Sequence, residues 1–86
     1  MSQSELDREN DIVLLDAAEV VRRVVAYRTR DRDLVEDVTQ ETMARLIGQR
    51  SRLEDDAVIP FAIVTARNLL ASVARKEDRD RRTPID

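Results

Sequence analysis

Apolar residues recur every three or four positions over three stretches of this chain, and each stretch predicts an amphipathic helix. The first holds Leu14, Ala17, Ala18, Val21, Val24 and Val25, predicting a helix from about Ile12, or from Asp16, to about Arg28. Asp16 with Glu19 three residues on fits a capping box, in which each side chain satisfies a backbone N–H of the first turn. Valines lose rotamer freedom in helices and favour strands. Here they come in pairs at helical spacing and never alternate, so the helix prevails. Residues 2–10 are polar and read as a loose lead, with residues 1–11 as a flexible N-terminus.

A charged turn at residues 29–32 separates this element from the second, which covers residues 33–47. Asp33 with Glu36 is another capping-box match, and Leu34, Val38, Met43, Leu46 and Ile47 supply an apolar side. Asp33, Asp37 and Glu41 fall four apart on the polar side, with Gln40 beside them. Gly48 stands where a left-handed helix stop is expected. Residues 49–59 lack a sustained period and predict a loop with one helical turn. Pro60 suits the first turn of a third helix, since its fixed φ and missing N–H cost nothing there. Ile59, Ala62, Ile63, Ala66, Leu69, Leu70 and Val73 form its apolar stripe. Beyond it, the alternating charges of KEDRDRR carry the helix into solvent until Thr83 and Pro84 end it. The fold class is all-α, a compact bundle of three main helices with a fourth short turn in the loop at 49–59.

Composition narrows the picture. A chain of 86 residues makes one domain, and at that size folding buries only roughly 60–65% of the surface the unfolded chain exposes. Hydrophobic residues are 42% of the chain but Tyr27 and Phe61 are the only aromatics, so the core is aliphatic. One Gly and two Pro disfavour hairpins. Without Cys there is no thiolate metal site, and without His the usual metal ligand and neutral-pH base are missing. The chain shows no nucleophile–base pair and no glycine-rich phosphate loop, so it reads as a non-enzyme that needs no cofactor. No run approaches the eighteen apolar residues of a membrane span, and the expected location is cytoplasmic.

Net charge is −3, which argues against a generic nucleic-acid binder, but its distribution is uneven. Residues 1–48 carry 7 basic and 11 acidic groups, while residues 64–82 carry 6 basic and 3 acidic. An acidic helix and a basic-ended helix predict two surfaces for two partners. The blander reading is a solvated bundle with mixed charge, in which Glu41 simply pairs with Arg45 along its helix.

Asp37-Val-Thr-Gln40-Glu41, then an eleven-residue loop, then Phe61-Ala-Ile-Val-Thr-Ala-Arg67-Asn68 with Arg75-Lys76 behind, resembles region 2 of sigma-70-type transcription initiation factors. The extracytoplasmic-function group is most similar, and the resemblance covers about residues 20–82. Met43 replaces the usual aromatic after Gln-Glu, Phe61 the usual Trp, and Ser72 the usual Asp after the Asn. The resemblance implies a region 2 domain over residues 12–82, with residues 83–86 as the start of an interdomain linker in a longer factor.

By that resemblance, Asp37, Gln40 and Glu41 dock on the β′ clamp helices of core RNA polymerase, with Asp33 and Arg45 as rim contacts. Arg67, Asn68, Arg75, Lys76 and Arg79 would contact the non-template strand of the promoter −10 element as it melts. Arg50, Arg52 and Leu53 would form a loop pocket for a flipped base, and Phe61 would act as wedge or stacking platform, or else belong to the core. Capturing an unstacked base offsets part of the cost of opening the duplex. The family also implies an anti-sigma factor as a further partner, for which surplus apolar surface on the first helix would serve. A second reading, favoured by the net negative charge, is a sigma-mimicking interaction module that sequesters an anti-sigma factor and never touches DNA.

Overall fold

Ser2 starts the first helix, nine or more residues ahead of the predicted start. Its hydroxyl accepts from the Glu5 N–H at 3.3 Å, and α1 runs over Gln3–Arg28. Ser2 and Glu5 have the spacing of a capping box, so the polar lead that reads as loose is helical from Gln3. Asp16 consequently lies inside the helix and caps nothing, and Glu19 pairs with Arg23 one turn on. The computed structural model describes residues 2–82. Thr83 and Pro84, the predicted helix stop, and the linker at 83–86 fall outside the described residues.

A three-residue connection turns the chain into α2, Arg32–Gln49. Its cap is Asp31, whose Oδ1 accepts from the Leu34 N–H at 3.1 Å, while the Asp31 N–H donates to Thr29 Oγ1 at 3.1 Å. Asp33 sits in the first turn instead, where a carboxylate meets the positive end of the helix dipole. Gly48 continues the helix, and among the described residues no φ is positive. A 3₁₀ turn at Arg50–Arg52 and an extended Leu53 then lead directly into α3, Asp55–Arg82. The predicted loop is therefore shorter than eleven residues, because Asp55 and Asp56 already form the first turn of α3. Pro60 lies inside that helix, one turn deeper than expected. Lacking an N–H, it leaves the carbonyl of exposed Asp56 for water.

Short connections make successive helices antiparallel, and all three pack on one another. The core consists of Ala17, Val21 and Val25 from α1, Val38 and Leu46 from α2, and Val58, Ala62 and Ala66 from α3. Each larger aliphatic side chain so buried contributes about 1.5–3 kcal/mol by transfer. The alanines allow close approach. The apolar period of α1 and α3 is realised, but on α2 it errs at one place: Ile47 is 59% exposed, and Thr39 and Thr42 are buried in its stead. Phe61 is half-buried against this core.

The molecule measures 63 × 24 × 18 Å, much longer than it is wide. Residues 3–9 of α1 and 74–82 of α3 are exposed throughout, so the helices overhang the bundle at its ends. By length and composition α3 is apolar enough to cross a membrane, with an 18-residue stretch of mean hydropathy 1.7, contrary to the expectation from apolar runs alone. Core helices of soluble bundles pass the same test, and here Val58, Ala62 and Ala66 are buried against α1 and α2.

Candidate functional site

On α2, burial of Val38, Thr39, Thr42 and Leu46 turns the opposite face outward. Asp33, Asp37, Gln40 and Glu41 are all exposed there, and Ala44 and Ile47 continue the same face by helical spacing. Arg45 Nε donates to Glu41 Oε1 at 3.0 Å, both side chains remaining about half exposed (54% and 52%). A pair so accessible adds little stability and is easily exchanged for another partner. Asp37 and Glu41 also rim a shallow groove of about 230 Å³ between α2 and α3, floored by Leu34, Val38, Leu69 and Val73. An apolar floor with carboxylates at its edge suits an aliphatic side chain flanked by Arg or Lys, which would form charge-assisted hydrogen bonds.

On α3 the buried stripe leaves a second outward line. Phe61, Val64, Asn68, Arg75 and Arg79 follow one another at spacings of three, four or seven, which keeps them on one side of the helix. Asn68, Arg75 and Arg79 are exposed. Arg75 Nη2 donates to Ser72 Oγ at 3.1 Å, which holds the guanidinium along the helix. Val64, 56% exposed between Phe61 and Asn68, puts an apolar surface in the middle of this line. Sequence reading passes over it, although its spacing from Phe61 and Asn68 was there to be read. Arg67 and Lys76 are exposed but leave this line by about a quarter turn or more, since successive residues rotate by about 100°.

The three residues assigned to a loop pocket are neighbours in the chain but differ in exposure and partners. Arg50 is committed within the chain: Nε donates to Asn10 Oδ1 at 2.8 Å, Nη1 to the Leu53 carbonyl at 3.0 Å and Nη2 to Asp55 Oδ1 at 2.5 Å. It ties α1, the 3₁₀ turn and the start of α3 together, with its side chain only 20% exposed. Leu53 packs against the core. Arg52 is the one presented to solvent. Among the described residues no cluster of His, Cys, Asp or Glu is arranged to hold a metal ion.

The family model for Sigma-70 region 2 matches residues 16–80, most of the chain. No curated protein and no solved structure matches it.

Proposed function

The chain belongs to the sigma-70 region 2 family, and from that membership we propose that it binds core RNA polymerase with α2 and promoter DNA with α3. Region 2 of a sigma factor works in transcription initiation without covalent chemistry. The polymerase surface is Asp33, Asp37, Gln40, Glu41 and Arg45, extended by Ala44 and Ile47, and it meets the β′ clamp helices. The DNA surface is Phe61, Val64, Asn68, Arg75 and Arg79, with Arg52, Arg67 and Lys76 at its margins. It receives the non-template strand of the −10 element in the cytoplasm, where the polymerase works.

The observation that carries this reading is the contrast between the two outward lines. One offers carboxylates around an apolar groove, which suits a basic protein helix. The other offers an amide, guanidinium groups and an apolar centre formed by Phe61 and Val64. Guanidinium groups neutralise phosphates, Asn gives a base edge both a donor and an acceptor, and apolar side chains receive an unstacked base. Phe61 offers only part of its surface, since it is half-buried against the core.

The test is fluorescence anisotropy of a labelled single strand carrying a −10-like sequence, with core polymerase present. Asn68→Ala/Arg75→Ala should weaken capture at least about tenfold, the combined effect of a lost base contact and a lost phosphate contact. Equal affinity for variant and wild type would remove DNA from α3. An absence of DNA binding by the polymerase-bound wild type would favour the sigma-mimicking module.

A further inference from the structure

A polar residue ends the core-facing stripe of α1. Asn10, Val13, Ala17 and Val21 follow one another at spacings of three or four, which keeps them on one side of the helix. Val13, Ala17 and Val21 belong to the core or pack on it, while Asn10 stands where the stripe leaves the bundle. Residues 3–9 are exposed throughout, so Asn10, half-buried, is the first residue of α1 with any cover. Its Oδ1 accepts from Arg50 Nε at 2.8 Å, a link across 40 residues.

Arg50 carries that link further. Nη1 donates to the Leu53 carbonyl at 3.0 Å and Nη2 to Asp55 Oδ1 at 2.5 Å. One planar fork thus fixes α1, residues 51–54 and the first turn of α3 relative to one another. The side chain is only 20% exposed, which limits competition from water. Residues 51–54 have further support from the Leu53 N–H, which donates to the Arg50 carbonyl at 3.2 Å, and from the packing of Leu53. That backbone bond is local. The orientation of the segment toward α1 is left to Arg50 and Asn10.

Orientation matters because this stretch carries both signs. Arg50 and Arg52 stand against Glu54, Asp55 and Asp56, two basic groups and three acidic. Arg50 and Asp55 keep their charges when paired, so the stretch as a whole repels phosphate. Arg52 and the three carboxylates are all exposed. A segment free to turn would meet a phosphate backbone with its carboxylates as readily as with Arg52, whereas a fixed one presents a single arrangement.

We propose that Asn10 is a positioning residue for DNA capture, which acts through Arg50 to hold residues 51–54 so that Arg52 and not the carboxylates meets the strand. This rests on the reading that α3 faces the promoter. Asn10 itself touches no DNA. It lies ahead of residues 16–80, so family membership does not assign it.

The test measures capture of a labelled −10-like single strand by the 86-residue chain with core polymerase, between about 50 and 200 mM salt. Asn10→Ala should weaken capture about three- to tenfold, the range for a residue that acts through others. The slope of log K against log salt should stay at the wild-type value, because no phosphate contact is lost. Amide hydrogen exchange at residues 53–57 should quicken. Helicity and polymerase retention should not change, alanine being the better helix former. Asn10→Asp keeps the acceptor oxygen and should restore capture. Asn10→Ala/Arg50→Gln should be no weaker than Arg50→Gln alone, since the two residues act as one unit. Wild-type capture by Asn10→Ala would overturn the proposal, whether or not exchange quickens. A slope reduced by about 0.7 in Arg50→Gln, with Asn10→Ala unaffected, would return Arg50 to the phosphate contacts. If Asn68→Ala/Arg75→Ala weakens capture and Asn10→Ala does not, the positioning role alone falls. A polymerase-bound wild type that captures no strand overturns both readings.

Discussion

Thr39 and Thr42 are the least comfortable residues of the core, 2% and 0% exposed with hydroxyls that have no hydrogen-bond partner. A buried hydroxyl without a partner forfeits its bonds to water and costs about 1–3 kcal/mol. Valine has nearly the same shape and similar helix propensity, so Thr42→Val should add about 1 kcal/mol at little backbone cost. Thr39→Val should add slightly less, being a little less buried. The two residues lie one turn apart and share neighbours, so the double variant need not be additive. For a domain of this size 1 kcal/mol moves the midpoint by about 4–8 °C. Thermal and urea denaturation followed by circular dichroism measure both quantities, and an unchanged urea m-value confirms that only stability moved. A lower midpoint for Thr42→Val would refute the reasoning. The hydroxyl would then be bonded in solution, to water or to the carbonyl one turn back, and its burial would be a source of stability.

Two further predictions concern how the helices are started and joined. Arg50→Ala removes a fork that holds Asn10, the Leu53 carbonyl and Asp55. With Asp55 mostly exposed, the loss should be about 1–2 kcal/mol in urea denaturation; Arg50→Lys should recover little, since an ammonium cannot span three acceptors in that geometry. Asp31→Ala should cost about 1 kcal/mol as a lost cap, whereas Asp33→Ala should cost only a few tenths. The same denaturation curves decide between them, and the reverse order would return the cap to Asp33.

The three helices were legible because their Val, Ala and Leu positions keep a helical period, and the burial of Ala17, Val21 and Val25 follows it directly. Helix ends were less legible, since several residues compete for each cap. Asp31 and Asp33 both stand within three residues of Leu34, the first apolar position, and only the chain's actual path selects Asp31. Ser2 with Glu5 carried a capping signal that was masked by the polarity around it. Thr39 and Thr42 belong to no apolar stripe, being polar, yet the narrow space between three helices favours their small size. The resemblance assigned Arg50 to the loop pocket, while its bond to Asn10, 40 residues away, lies beyond the reach of any local pattern. The exposed acidic line of α2 and the line through Asn68 and Arg75 were both readable from spacing. Val64 became visible as part of that second line only when neighbours from other helices could be assigned.

The most direct test of two independent binding surfaces is retention of core RNA polymerase by two charge variants side by side. Asp37→Arg/Glu41→Arg should abolish retention while leaving the midpoint of unfolding nearly unchanged, because both side chains are exposed and the bond from Arg45 to Glu41 is a surface pair. Asn68→Ala/Arg75→Ala should retain polymerase like the wild type. Loss of retention by both variants, or by neither, would contradict the division of labour between α2 and α3.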